Sequence, residues 1–215
     1  MGEERRPAVL LVGPTGSGKT PLGALMEKDG LWGKTCRHFD FGHHLRRISK
    51  MSEPPPWLEE QEREFIRSVL AAGALLEDNQ FVLAEKILRA FMAECGIERG
   101  ELIALNGLPR HVGQAEAVAS IVEVVAVIEL LCTPEVAIER VRANAGGDRD
   151  ERADDGPKSV LKKLGTFARR TIPLVEYYRE RGVPIYRVEV GAHCSPERML
   201  TTIESGRKQG FGKGP

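Results

Sequence analysis

Short apolar runs alternate along the chain with longer stretches in which apolar residues recur every three or four positions. The runs fall at 8–12, about 36–40, 101–105, 124–131 and 184–190; they are rich in Val, Leu and Ile and are of strand length. Between them, 78–95 opens with Asp78 and Asn79 as cap candidates and sets Leu83, Ile87, Leu88 and Phe91 at helical spacing. The stretch WLEEQEREFIRSVLAA at 57–72 follows three prolines and places Leu58, Phe65, Ile66 and Val69 on one side. A further helix is predicted over 134–143, behind the cap Thr133 and the first-turn Pro134, carrying Val136, Ile138 and Val141. A long helix is predicted over 157–181, kinked or divided at Pro173, and CSPERML supplies a last helix start at Ser195 and Pro196. Strands separated by helices predict an α/β fold whose parallel sheet is covered on both faces.

The polar, glycine-containing stretch NAGGDRDERADDGPK at 144–158 is predicted to be a surface loop, where moving parts are usually carried. A length of 215 residues calls for one well-buried domain. Lys plus Arg and Asp plus Glu each number 31, so no global basic field argues for nucleic acid or an acidic membrane as partner. The longest apolar run, VVAVIELL at 124–131, is far too short to span a bilayer, and MGEERRP lacks the apolar core of a secretory leader. Cys36, Cys95, Cys132 and Cys194 form no Cys-x-x-Cys pair, which fits reduced thiols in a cytoplasmic protein. The tail GRKQGFGKGP has no periodicity and is expected to fray.

GPTGSGKT, residues 13–20, is the most chemically specific segment. Gly13, four residues, then Gly18, Lys19 and Thr20 match the P-loop pattern, between a predicted strand and a predicted helix as the motif requires. Glycines such as Gly13, Gly16 and Gly18 let backbone N–H groups, including that of Ser17, turn inward around phosphate oxygens, and the following helix adds its positive end. Lys19 is then expected to reach the β- and γ-phosphates of ATP, and the Thr20 hydroxyl to sit on Mg²⁺. Pro21 is tolerated because a first-turn N–H has no intrahelical partner. Further on, ALNGLPRHVGQ at 104–114 follows a predicted strand, at the sheet edge where α/β ligands bind. Gly107 permits close backbone approach, Arg110 presents a planar fork suited to phosphate, and Gln114 is placed to pair with a base edge.

With these segments in hand, the chain resembles an adenylate kinase or a close nucleoside monophosphate kinase. The family's P-loop, TGDLLR-like, LDGFPR…Q, ER…R, R-x-D-D and TxPLxxYY segments correspond in order to residues 13–20, FGHHLR (41–46), LNGLPRHVGQ (105–114), ERVRAN (139–144), RADD (152–155) and TIPLVEYY (171–178). The collinearity runs from about residue 8 to 190. It implies reversible transfer of the ATP γ-phosphoryl group to a nucleoside monophosphate, AMP first, by a monomeric Mg²⁺-dependent enzyme. It also implies a three-layer P-loop NTPase fold with a five-stranded parallel sheet. The core would comprise 8–40, 78–143 and 157–205, with a monophosphate-binding arm at about 41–77 and a short lid at about 144–156. By position, Arg46 and Arg110 grip the monophosphate, with Phe41, Gly42 and Gly107 around it. Leu76 offers backbone to the ribose or base, and Gln114 reads the base. Arg140 faces ATP, while Arg152 and Lys163 clamp the transferring group. The lid is too short for a four-cysteine zinc site, so no structural zinc is expected.

The chain departs from the family's pattern at several of these positions. Asn106 and His43 stand where the family has aspartates that organise hydrated Mg²⁺, leaving Asp40 as the nearest carboxylate to compensate. Phe41 replaces a threonine that helps recognise adenine; Asn144 falls on an arginine position, with Arg142 close by; and Lys163 gives a point charge in place of a fork. His43 and His44 invite a metal reading, against which neutral surface or core histidines are the plainer expectation. Two other readings stay open: a nucleotide sensor that closes without efficient transfer, and a P-loop kinase for another small acceptor.

Overall fold

Successive residues of β1 (Arg6–Val12) belong to two different hydrophobic cores: Ala8, Leu10 and Val12 to one, Val9 and Leu11 to the other, and all five are buried. A strand buried on both faces sits inside a sheet layered by helices on each side. The computed structural model describes residues 5–74, 76–149 and 156–208 and shows this arrangement in full. β2 (Cys36–Asp40), β3 (Leu102–Asn106), β4 (Val122–Leu131) and β5 (Ile185–Glu189) complete a five-stranded, wholly parallel sheet in the order β2-β3-β1-β4-β5.

The helices are α1 (Lys19–Asp29), α2 (Phe41–Lys50), α3 (Glu60–Ala72), α4 (Phe81–Cys95), α5 (Val112–Val118), α6 (Pro134–Arg142), α7 (Pro157–Thr166), α8 (Ile172–Glu180) and α9 (Pro196–Lys208). α1 and α9 cover the Val9 face with Leu22, Met26, Met199 and Ile203. On the Leu10 face, Leu45, Ile66, Ile87, Val118 and Leu174 bring in α2, α3, α4, α5 and α8. This is the expected three-layer α/β architecture.

Several local expectations are corrected. α3 begins at Glu60 and not at 57, because Glu59 and Glu62 form a capping box in which Glu59 N–H donates to Glu62 Oε2 at 2.9 Å. α4 begins at Phe81 behind a short 3₁₀ turn, Asp78–Gln80, and has no side-chain cap. α6 buries Ala137 and Arg140 in place of the apolar face of Val136, Ile138 and Val141, since it lies against the P-loop and not against an apolar layer. The predicted helix over 157–181 is divided: a π-helical turn, Phe167–Thr171, separates α7 from α8. Pro173 has no N–H to bond a preceding carbonyl and its ring crowds that carbonyl, so the wider turn just ahead of it absorbs the misfit. α2 and α5 were not anticipated as helices. All four cysteines are free.

Candidate active site

The P-loop follows β1 at the carboxyl edge of the sheet. Gly16 and Gly18 take φ of 84° and 94°, and a Cβ on Gly16 would lie 2.5 Å from Ala137 O, so glycine is demanded there by both backbone angle and space. Ser17 is fully buried beneath the loop. Lys19 Nζ donates to Gly13 O at 2.7 Å and Pro14 O at 2.8 Å, which holds the ammonium at the mouth of the loop. α1 starts at Lys19, so its positive N-terminal end adds to the loop's amides.

Strand register assembles the next group. Asp40 and Asn106 are direct partners across β2 and β3, and Asn106 pairs with Leu11 of β1. The three strand ends thereby bring Asp40, Asn106 and Thr20 together. Thr20 Oγ1 donates to Asp40 Oδ2 at 2.7 Å; Asn106 Nδ2 donates to the same carboxylate oxygen at 2.8 Å and to Thr20 Oγ1 at 3.1 Å. Asp40 Oδ1 accepts the His43 N–H at 2.8 Å and so caps α2. Burial pushes the Asp40 carboxyl up, but the Thr20 and His43 hydrogen bonds and the charges of His38 and Arg46 together hold it below its ordinary value. Asp40 is therefore an ionised carboxylate against the P-loop threonine. His44 has no metal-site character: its ring lies between Phe39, 5.0 Å away, and Phe91, 5.5 Å away. Among the described residues, no group of three or more His, Cys, Asp or Glu is arranged to hold a metal ion.

Arg110 is set by the turn after β3. Its N–H donates to Gln114 Oε1 at 2.8 Å and its carbonyl accepts from Thr171 Oγ1 at 2.9 Å, so its main chain is pinned from both sides. The side chain is half-buried and, among the described residues, the guanidinium makes no hydrogen bond or ion pair. Burial lowers its pKa, and the Asp40 charge offsets part of that. A half-buried guanidinium that lines a cavity and has no partner among the described residues is arranged for an anion.

One cavity gathers the predicted residues. Gly13, Gly16, Gly18, Lys19 and Thr20 line it from the P-loop, and Phe41, Gly42 and Arg46 from the start of α2. Leu76, Gly107, Arg110, Gln114, Arg140 and Lys163 line it as well. Arg46 and Arg110 thus share a cavity with Lys19. Gly42 leaves room for the Arg46 guanidinium, whose Nη1 would lie 3.2 Å from a Cβ there. Gln114 is buried, and its Nε2 donates to Leu76 O at 3.0 Å while Oε1 accepts from Arg110; each end keeps capacity for one further bond. Arg140 sits under the loop: Nε donates to Gly16 O at 2.9 Å and Nη1 to the carbonyls of Gly191, Ala192 and Cys194. It ties the P-loop to the segment after β5. Arg152 lies outside the described residues.

Sequence reasoning passed over Arg149, His111 and Arg170. Arg149 Nη2 donates to Thr15 Oγ1 at 3.2 Å, and the His111 ring bonds Leu76 O at 3.2 Å. Arg170 holds Glu77 in a two-pronged ion pair. Arg149 and Arg170 stand in no motif segment, and His111, although inside LNGLPRHVGQ, is at none of its motif positions, so only spatial placement reveals them.

The chain is 33% identical over 205 residues to an adenylate kinase of Synechococcus sp. (strain WH7803), a match that covers 92% of this chain and 96% of the relative. It is 30% identical over 186 residues to an adenylate kinase of Bartonella tribocorum (strain CIP 105476 / IBS 506), covering 81% and 88%. The chain belongs to the adenylate kinase family. No family model matches it. As a member of the adenylate kinase family it is a P-loop phosphotransferase. A gluconokinase from Sinorhizobium meliloti 1021 shares the fold, with a TM-score of 0.53 and 16% identity over 96% of this chain and 94% of that one. In this structure the carboxylate beside Thr20 and Asn106 is that of Asp40.

Proposed function

We propose that the protein transfers the γ-phosphoryl group of ATP to a nucleoside monophosphate, AMP first, giving two ADP. The observation that carries the reading is the shared cavity: it is lined both by the P-loop with Lys19 and by Arg110, a half-buried guanidinium with no hydrogen-bond or ion-pair partner among the described residues. One anion pocket lined by main-chain amides and a second lined by guanidinium groups suit a donor and an acceptor that both carry phosphate.

In this reading the segment at about 41–77 is the monophosphate arm and that at about 144–156 the lid. Arg46 and Arg110 hold the acceptor phosphate, whose second ionisation near pH 6 leaves it a dianion at neutral pH, so no protein base has to remove a proton. One of its oxygens forms the bond to the γ-phosphorus while the bond from that phosphorus to the β,γ-bridging oxygen breaks and ADP departs. Lys19 and the loop amides follow the charge that gathers on the bridging oxygen. Lys163 closes from α7, together with Arg152. Main-chain groups near Leu76, the ring of Phe41 and the remaining valences of Gln114 hold the base. Arg140 stiffens the loop from below.

The residues present fit a magnesium ion. Mg²⁺ keeps several waters and takes one or two carboxylates plus phosphate oxygens, and Thr20 Oγ1 and Asp40 Oδ2, 2.7 Å apart, are a hydroxyl and an ionised carboxylate beside the triphosphate site. Thr20 and Asp40 would hold the ion, which supplies charge neutralisation across the β- and γ-phosphates. The Asp40 placement speaks against the sensor reading, since the carboxylate missing at 43 and 106 is supplied from the neighbouring strand end. A cytoplasmic monomer is part of the same proposal, and the four free cysteines fit the reducing conditions of that compartment.

Calorimetry with two adenosines joined through five phosphates tests the shared cleft. The account expects one-to-one binding at least a hundredfold tighter than ATP alone. Affinity no better than that of ATP would mean that the second pocket takes another small acceptor.

A further inference from the structure

We propose that Arg170 and His111 are positioning residues that decide which base the acceptor site takes, by holding the Gln114 amide in one orientation; this rests on the phosphoryl-transfer reading above. The orientation itself is dictated by main-chain chemistry. Oε1 accepts the Arg110 N–H and Nε2 donates to Leu76 O, so a flipped amide would set its NH₂ against an N–H and its oxygen against a carbonyl. Gln114, His111 and Leu76 are all buried, where such a mismatch is costly. The amide can turn over only if Leu76 O moves away from the turn that carries Arg110.

Two side chains outside the family's motif positions oppose that movement. The His111 ring lies 3.2 Å from Leu76 O; a carbonyl oxygen only accepts, so Nε2 carries the ring proton and donates. Leu76 O thereby takes a donor on each lone pair, and the base edge is left to the remaining valences of Gln114. The next residue, Glu77, is gripped through both carboxylate oxygens by Arg170, at 2.6 and 2.9 Å. Arg170 and Thr171 are consecutive on the π-helical turn, and Thr171 Oγ1 donates to Arg110 O at 2.9 Å. The turn therefore holds the Leu76–Glu77 segment with one residue and Arg110 with the next, closing a ring through Gln114 that fixes the gap the amide spans. The ion pair is partly exposed and adds little to stability, so its effect lies in placement.

A locked amide offers one oxygen lone pair and one N–H in a fixed order. The edge of AMP presents the N6 amino donor beside the N1 acceptor, whereas that of inosine monophosphate (IMP) presents the O6 acceptor beside the N1–H donor. The order that suits one base sets donor against donor and acceptor against acceptor in the other. An amide free to flip serves both.

Steady-state turnover of ATP with AMP or with IMP, beside melting temperatures, tests this on wild type, Arg170→Met, Glu77→Gln, their double variant and His111→Phe. Wild type is expected to prefer AMP by at least about 10³ in kcat/KM. Arg170→Met and Glu77→Gln should each cut that preference at least about tenfold, through a raised KM for AMP, with kcat within about twofold and an unchanged melting temperature. The double variant should be no worse than either single one, since all three break the same pair. His111→Phe keeps the bulk of the ring and loses the donor, and should lower the preference likewise; Arg170→Met decides the case if that variant does not fold. Wild-type preference in Arg170→Met overturns the inference, and so does a fall in melting temperature and kcat at unchanged preference, which would mark a scaffold residue. A wild type that uses AMP and IMP equally also overturns it and leaves phosphoryl transfer standing, whereas a wild type that phosphorylates neither overturns the underlying reading itself.

Discussion

Arg110→Met separates an anion-binding arginine from a structural one, because only a structural arginine costs stability when it is removed. The main-chain bonds of residue 110, to Gln114 Oε1 and from Thr171 Oγ1, survive the substitution. What leaves is a half-buried guanidinium with no direct partner, and what replaces it is an unbranched apolar stem of similar reach. Partial burial takes some hydration from the guanidinium, and the attraction to Asp40 returns part of that loss. The ligand-free variant should therefore match wild type or exceed it by up to about 1 kcal/mol, which is up to about 2–4 °C in melting temperature for a chain of this length. Turnover should fall by at least about 10³, with weakened monophosphate binding and unchanged ATP binding. Differential scanning calorimetry beside a coupled ADP assay reads both. A melting temperature lowered by several degrees with turnover nearly intact would refute the assignment and make Arg110 a scaffold residue.

Three further substitutions probe the surroundings of the cleft. Asn106→Asp would set a second carboxylate against Asp40, so the melting temperature should drop in chelator and recover on adding Mg²⁺ far more than wild type does; equal responses would count against a metal-organising role for Asp40. Burial first, and then the charges of Arg47 and His43, lower the His44 pKa to about 4, against 6.5 in the unfolded chain. The neutral ring then contributes full stability above pH 6.5, and up to about 3 kcal/mol is lost as pH falls from there to about 4. His44→Phe, which keeps the contacts to Phe39 and Phe91, should flatten that slope in urea titrations at pH 7 and 4.5. A Cβ on Gly23 would meet His38 Nε2 at 2.2 Å, so Gly23→Ala should destabilise by about 1–3 kcal/mol in wild type yet stabilise by up to about 1 kcal/mol in a His38→Ala background, and the same sign in both would contradict the contact.

How far the sequence reveals this molecule depends on whether a feature is local. The P-loop is legible because its phosphate chemistry needs Gly13, Gly18, Lys19 and Thr20 at fixed spacing along one turn. The three-layer sheet is legible because strands buried on both faces read as unbroken apolar runs. Asp40 was only the nearest carboxylate in the chain; its value comes from the register that makes it the partner of Asn106, a fact about two strands 66 residues apart. Arg140 shows the converse. Its place in the ERVRAN segment points to ATP, yet the close packing of α6 against Gly16 turns it into a clamp on main-chain carbonyls. α5 is not legible because its seven residues, VGQAEAV, are too few to show a period.

The most direct test of the central claim is an assay of ATP with a panel of nucleoside monophosphates, using Lys19→Met as control. The account predicts Mg²⁺-dependent formation of two ADP from ATP and AMP, lost in the control; no turnover above that control with any monophosphate would contradict it.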